Sequence, residues 1–430
     1  MTEQKTSQAP RALPPVHEAF LPREHALHRP RHGRRQAVAL ACAAVFFATP
    51  VLASLSGVHP GQFENRALTE FPSLGQGWSF FPQLAQWATD HLAFREQAVH
   101  TADGLSRGLF GEAPPLGGQP QAPEGPIPAQ PTAPAPVVDY PKVLEGKSGW
   151  LYLGDEIASH CNLSKPLDQT MAELDRLRDG VRASGRQFVV VVAPDKTTIA
   201  PEYLPANYAG KDCRQRTAAE FWHRADADNA VIDLRGGLEA QGRAVGAPVY
   251  GPQDAHWSDE GGMLMARSLA EAMSPGSTAS WVIKPGDPWQ LAADLPPLIG
   301  HTGQTSGRHY EVLTDGKRDQ TREVLSDLKA PLKLQSASGT GTYQGPVALL
   351  GDSFTYRALP YLAATFGELT AQHHSALLID TGKSVGKLFA DNRVVAIEVA
   401  ERTLASGTFG LLAPQVVDNI LAELAARPIR

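Results

Sequence analysis

Cysteine is scarce, with three in 430 residues, and no Cys-x-x-Cys or Cys/His spacing among them suggests zinc. Basic stripes are lacking too. After the first 35 residues no lysine- or arginine-rich run appears and the formal net charge is −6, which leaves no electrostatic footprint for nucleic acid as a partner. No internal repeat is visible, so repeat architectures are set aside. Between Glu112 and Pro141 the chain is short of large apolar side chains and rich in Pro, Ala, Gly and Gln. Such a segment cannot offset its ordering entropy by burial and tends toward extended, semi-rigid chain. What remains is ordinary for a globular protein: 42% of residues are hydrophobic and 20% charged, with a length that suits two or three domains.

The amino terminus differs from everything after it. Residues 1–36 are polar and end in Arg31-His32-Gly33-Arg34-Arg35, and Ala37 to Leu55 then runs without a charge. A basic cluster before an apolar stretch of about 20 residues reads as membrane targeting, with the basic side kept in the cytoplasm and the rest exported. Val51-Leu52-Ala53 before Ser54 also offers a signal-peptidase site, so cleavage and retention both stay open, and the long polar lead favours an uncleaved anchor. In a bacterium with an outer membrane, the body of the protein would then stand in the periplasm. Export fits the cysteines. Cys42 lies in the apolar run, leaving Cys161 and Cys213 as a pair expected to bridge in an oxidising compartment, with two free buried thiols as the alternative.

The reading divides the chain into a cytoplasmic basic tail (1–36), a transmembrane signal anchor or signal peptide (37–57), a membrane-proximal helical segment (58–111), a Pro-rich linker (112–141), a catalytic domain (142–410) and a C-terminal helix (411–430). In the membrane-proximal piece Leu84, Trp87, His91, Leu92 and Phe94 recur at helical spacing. From Tyr140 onward the pattern is α/β. Gly149–Leu153 reads as an opening strand and residues 168–183 as a helix. Phe188–Val192 is a charge-free β-branched run of the kind buried on both faces of a parallel sheet. Another helix at 217–227 leads to strands at Ala230–Leu234, Val347–Leu350, Ala376–Ile379 and Val394–Ile397, and residues 275–345 read as an irregular excursion. The alternation predicts a three-layer α/β/α domain with a parallel sheet.

Chemistry concentrates at two places. Gly351-Asp352-Ser353 follows an apolar strand, which sets a serine hydroxyl at a strand-to-helix corner, where a helix over 354–366 would aim unpaired N–H groups at a developing oxyanion. About a hundred residues earlier stands Asp254-Ala255-His256-Trp257-Ser258. In extended chain residues i and i+2 point the same way, so Asp254 can hold the His256 ring while His256 takes the Ser353 proton. Ser258-Asp259-Glu260 opens a helix that pins this segment.

Together with Ala193-Pro194-Asp195-Lys196-Thr197-Thr198-Ile199-Ala200-Pro201-Glu202-Tyr203-Leu204-Pro205 and Glu64-Asn65-Arg66, these motifs make roughly residues 60–405 resemble the AlgX/AlgJ-type SGNH-hydrolase-like polysaccharide (alginate) O-acetyltransferases. The resemblance implies an SGNH-like domain with its triad in circularly permuted order, Asp254 orienting, His256 as base and Ser353 as nucleophile. It implies an acetyl-serine intermediate, a periplasmic exopolysaccharide acceptor such as alginate or cellulose, and other polymer secretion components. A multi-pass membrane acyltransferase of the MBOAT type would supply acetyl groups. An acetyl-esterase acting on glycans and a non-catalytic polysaccharide-binding assembly protein are the alternatives. Lys196 is matched by the family motif, and Lys196 and Trp257 are candidate substrate contacts. Glu398-Val399-Ala400-Glu401-Arg402 resembles the family's end segment and is expected to hold an ion pair. No metal or other cofactor is indicated. The family's Gly-x-Asn-Asp block is not recognisable here, which leaves no side-chain oxyanion donor assigned.

Overall fold

The computed structural model describes residues 34–55, 71–72, 80, 84, 87, 140–228, 230–336 and 339–429. The basic tail to residue 33, Glu64-Asn65-Arg66, His91, Leu92, Phe94 and nearly all of the Pro-rich linker lie outside the described residues. Two compact units are present, one containing residues 34–55 and the described positions from 71 to 87, the other running from Tyr140 to the end of the described chain. In the first, Arg34–Leu55 is a 22-residue helix that carries the apolar segment. Its side chains are described only in part, and among the described residues no single helix is long and apolar enough to cross a membrane. Phe71 meets the Phe80 and Trp87 rings edge-on, at centroid separations of 6.4 and 5.0 Å.

In the second unit the strands are β1 (Val143–Glu145), β2 (Leu151–Leu153), β3 (Gln187–Ala193), β4 (Val231–Asp233), β5 (Val282–Ala292), β6 (Gln304–Leu313), β7 (Leu332–Leu334), β8 (Tyr343–Gly351), β9 (Phe366–His373) and β10 (Val394–Ala400). Six of them form one sheet in the order β4-β3-β10-β8-β9-β7. Every pairing in it is parallel except β7 on β9 at the edge. Alternation along the strands explains the layering. Val189, Val191, Val347, Leu349, Val394 and Ala396 pack into one apolar cluster, while Val190, Val192, Ala348, Leu350, Val395 and Ile397 pack into another on the opposite face. A strand whose odd and even side chains are both buried needs helices on each side. Asp259–Met273 and Thr355–Thr365 cover the first face, and Leu167–Ala183, Lys211–Ala225, Lys383–Ala390 and Pro414–Ala426 cover the second.

Two expectations need correction. Ala376–Ile379 is not a strand: Leu377–Asp380 is a short helix with Leu378 and Ile379 85% and 77% exposed. The strand beside β8 is the more polar Phe366–His373, whose Leu369 and Ala371 enter the core. The excursion at 275–345 is regular in part, since β5 and β6 pair as a long antiparallel hairpin. The C-terminal helix is Pro414–Ala426, and its Val417, Ile420 and Leu424 are buried in the second cluster. That helix and Glu401–Leu412, bent by 56°, pass together as long and apolar enough for a membrane span, yet Leu404, Leu411 and Leu412 are also buried in the domain core.

Cys161 and Cys213 are bridged, with Cα atoms 5.3 Å apart. The bridge ties the helix Asp155–Cys161 to Lys211–Ala225. Closing a loop of 52 residues restricts the unfolded chain by about 4 kcal/mol in the loop-entropy picture. Replacing both cysteines with serine is therefore expected to lower unfolding stability by about 2–4 kcal/mol, read by denaturant titration of oxidised protein. An unchanged midpoint would exclude this role for the bridge.

Candidate active site

Ser353 stands where the parallel β8 ends and the helix Thr355–Thr365 begins. Three features shape that corner. Gly351 leaves no room for a side chain, since a Cβ there would collide with Thr355 Oγ1. Asp352 turns the chain: its Oδ1 accepts from the Phe354 N–H at 2.8 Å and its Oδ2 from the Ala400 N–H at 2.9 Å. Beneath it, buried Glu398 accepts from the Asp352 N–H at 2.9 Å and the Thr355 hydroxyl at 2.8 Å. Burial, reinforced by the Asp352 charge, raises the Glu398 pKa well above the usual carboxylate range. Ser353 is not the helix cap, a position held by Phe354. Its hydroxyl lies 2.8 Å from His256 Nε2.

His256 reaches the serine from a loop that the sheet does not contain. Tyr250 bridges to Trp257 as in a short antiparallel ladder, and Ser258 N–H donates to the Val249 carbonyl at 2.7 Å. Asp254 Oδ1 accepts from the His256 backbone N–H at 3.0 Å and lies 3.2 Å from ring Nδ1. The three residues expected to converge thus do so.

Sequence reasoning missed a fourth group. Asp294, from the turn after β5, places Oδ2 2.9 Å from His256 Nδ1 and accepts the Ala255 N–H on Oδ1 at 2.9 Å. Its only signal was an acid just before the turn residues Leu295-Pro296-Pro297, too common to single out. Burial alone would push the imidazole pKa down. The hydrogen bonds and charges of Asp254 and Asp294 outweigh it and hold the ring at about 10. Burial likewise opposes ionisation of Asp254, but its bonds to His256 prevail and its pKa falls below the ordinary value.

The two candidate substrate contacts are buried instead. Lys196 is 0% exposed, and the three N–H bonds of its ammonium are shared among the carbonyls of Leu151, Gly251, Pro252 and Asp254, at 2.7, 2.6, 2.9 and 3.0 Å. Burial pulls its pKa down to about 8 against the fields of Glu156, Asp254 and Asp294, so it remains a cation at neutral pH. Lys196 therefore gathers the loop that carries Asp254 and His256. Trp257 is also buried. Its Nε1 donates to the Phe354 carbonyl at 3.0 Å, and its ring meets the Phe354 ring edge-on at 4.9 Å. The histidine loop is thereby fastened directly to the serine corner.

The helix amides are less available than expected. Phe354 N–H is spent on Asp352 Oδ1, and the Thr355 and Tyr356 N–H groups go to the Asp352 and Ser353 carbonyls. Among the described residues the Ser353 N–H has no recorded acceptor, and it is the backbone donor left at this corner for an acyl oxygen. The expected ion pair joins Arg402 to buried Asp195 at 2.9 Å. Among the described residues, two groups of side chains bring potential metal-ligand atoms within 4.8 Å of one another, His160/Asp195/Glu401 and Asp254/His256/Asp294. In the first, Arg402 supplies the counter-charge. In the second, the two ring nitrogens are taken by the carboxylates and by Ser353.

A serine hydroxyl, an imidazole and a carboxylate stand in line at the carboxyl end of a parallel sheet, the arrangement that hydroxyl-nucleophile α/β proteins use for acyl chemistry. The family model described as "SGNH hydrolase-like domain, acetyltransferase AlgX" matches residues 143–368, and the chain belongs to that family. It is similar to proteins named probable alginate O-acetylase AlgJ. The one from Pseudomonas fluorescens is 26% identical over 223 residues, or 50% of this chain and 54% of that protein. The one from Pseudomonas putida KT2440 is 25% identical over 224 residues, 50% and 55% of the two chains. The chain thus spans about half the length of the curated relatives it matches. Among solved structures, the O-acetyltransferase domain of Pseudomonas putida AlgJ is 21% identical, covering 65% of this chain and 98% of that one at a TM-score of 0.42. Pseudomonas aeruginosa AlgX is 16% identical over 64% of this chain and 67% of that one, also at 0.42.

Proposed function

We propose that this protein is an O-acetyltransferase that moves acetyl groups through an acetyl-Ser353 intermediate onto hydroxyls of a secreted polysaccharide. The observation that carries this reading is the 2.8 Å approach of Ser353 Oγ to His256 Nε2 in a chain of an acetyltransferase family. In the first half-reaction Ser353 Oγ bonds to the acetyl carbon and the donor's carbon–oxygen bond breaks. The serine proton passes to His256 Nε2 and then to the departing alcohol or its equivalent. In the second half His256 takes a proton from a sugar hydroxyl, that oxygen bonds to the acetyl carbon, and Ser353 leaves with the proton returned. The Ser353 N–H faces the oxyanion in both.

The acceptor class follows from likeness to the relatives, whose names make alginate the first polymer to test. A cavity of about 750 Å3, lined by residues including Ser148, Gly149, Pro252, Gln253, Thr302 and Gln304, opens next in sequence to the Asp254 loop. Its polar and glycine lining suits a hydroxyl-rich chain. We further propose that the segment 37–57 anchors the protein in the inner membrane with the body in the periplasm, beside a multi-pass acyltransferase that delivers acetyl groups. The disulfide is consistent with an oxidising compartment.

The test is a labelled acetyl ester incubated with purified protein and alginate oligosaccharides, followed by mass spectrometry. Label is expected first on the peptide carrying Ser353 and then on the oligosaccharide. Label that ends only in free acetate, whatever the acceptor, would make the protein an esterase.

A further inference from the structure

Two carboxylates, not one, face His256 Nδ1. The nearer belongs to Asp294, at 2.9 Å against 3.2 Å for Asp254. Asp254 Oδ1 is at the same time committed to the backbone N–H of His256. Asp294 spends its other oxygen on Ala255 N–H, which leaves Oδ2 free to serve the ring. Both side chains are nearly buried, at 12% and 9% exposure, so neither charge is dispersed by water.

The delivery of Asp294 is also built. Ala293 N–H donates to the Gly303 carbonyl at 3.1 Å, and Leu295 N–H to the Gln253 carbonyl at 3.3 Å. The hairpin itself is moored to the catalytic layer. Trp289 Nε1 donates to Asp259 Oδ2 at 2.7 Å, Tyr361 donates to Asp259 Oδ1 at 2.7 Å, and the Arg357 guanidinium lies 4.0 Å over the Trp289 ring.

We propose that Asp294 is a second positioning acid for His256, sharing the Nδ1 proton with Asp254 and setting the pH at which the imidazole becomes a base. This rests on the acyl-transfer reading of Ser353 and His256. The other groups facing the ring are the Ser353 hydroxyl and the Phe354 ring, 4.9 Å away. From the neighbouring elements the cation Lys196 acts on both carboxylates and Arg357 on Asp254. Two anions against one ring hold the proton on Nδ1 and stabilise the imidazolium more than a lone aspartate would. The neutral ring that can accept from Ser353 then appears only as pH rises through the imidazole's elevated value. Loss of either anion moves that rise to lower pH, and loss of both abolishes ring orientation.

The experiment follows 4-nitrophenyl acetate turnover by the full chain from pH 5 to 11, for the natural protein and for D254N, D294N, D294E, the double D254N/D294N and S353A. The His256 ring is titrated in parallel by 15N-histidine NMR. The D294N acid limb and ring titration are expected to move together to lower pH. The rate above both limbs should fall about tenfold in each single variant, where one acid still orients the ring, and about 10^4-fold in the double, where neither does. D294E is expected to return the limb toward its natural position. A merely supporting role would lower stability and leave limb and titration in place, which would overturn the proposal. If D294N does not fold, D254N decides: a ring still titrating above the ordinary histidine range supports Asp294, and one that drops to it overturns the proposal. Undiminished turnover in S353A would instead overturn the acyl-transfer reading, while the NMR shift would still report on Asp294.

Discussion

Ser353→Ala is expected to abolish acetyl transfer, lowering turnover of an activated acetyl ester by about four orders of magnitude or more, without destabilising the fold. The separation of these two effects comes from the corner itself. Asp352 and Glu398 hold the turn through the backbone of Asp352, Phe354 and Ala400, and the Ser353 side chain contributes one bond, to His256. Alanine removes the nucleophile and leaves every one of those turn contacts in place. Thermal unfolding of the variant should match that of the natural protein while the labelled Ser353 peptide disappears. Retained polymer acetylation by a folded Ser353→Ala protein would rule out the acetyl-serine route.

The second large effect is expected at Lys196. Methionine keeps the length of the side chain but donates nothing, so four buried carbonyls, of Leu151, Gly251, Pro252 and Asp254, lose their common donor. The Glu156 and Asp254 charges lose a cation as well. Lys196→Met is expected to cost about 3–5 kcal/mol of stability, the range for removing one partner from a buried charged network. Activity should fall with it even under conditions where the protein is folded, because the Gly251–Asp254 loop carries the His256 ring. Denaturant unfolding and ester turnover on the same preparation check both parts. A change below about 1 kcal/mol, the net worth of a single ordinary hydrogen bond, would show that the carbonyls find other donors.

How much of this was legible in the sequence depended on how local the signal was. Val189–Val192 and Val394–Ile397 announced themselves as doubly buried strands because no charge interrupts them, and they lie side by side in the sheet. Ser353, His256 and Asp254 were readable because each belongs to a short motif whose geometry is nearly fixed by its own backbone. The strand at Phe366–His373 was not, since Glu368, Thr370 and Gln372 dilute its apolar positions. The exposed Leu378 and Ile379 mimicked a strand where a short helix stands. Lys196 was a candidate substrate contact because it stands in a segment that matches the family motif. Only the convergence of two separate segments, at Leu151 and at Gly251–Asp254, on its ammonium shows otherwise. Asp294 was beyond reach for the same reason, being brought to the ring by pairing between β5 and β6 and by the contacts of the turn that follows.

The Trp257–Phe354 clasp has a consequence for motion. Trp257 follows His256 and Phe354 follows Ser353 by one position, and the indole N–H is tied to the Phe354 carbonyl. A displacement of either loop therefore drags the other along, and the gap between oxygen and nitrogen should fluctuate less than the loops themselves. In the proposed reaction, a pair geared in this way keeps its oxygen and nitrogen aligned between turnovers.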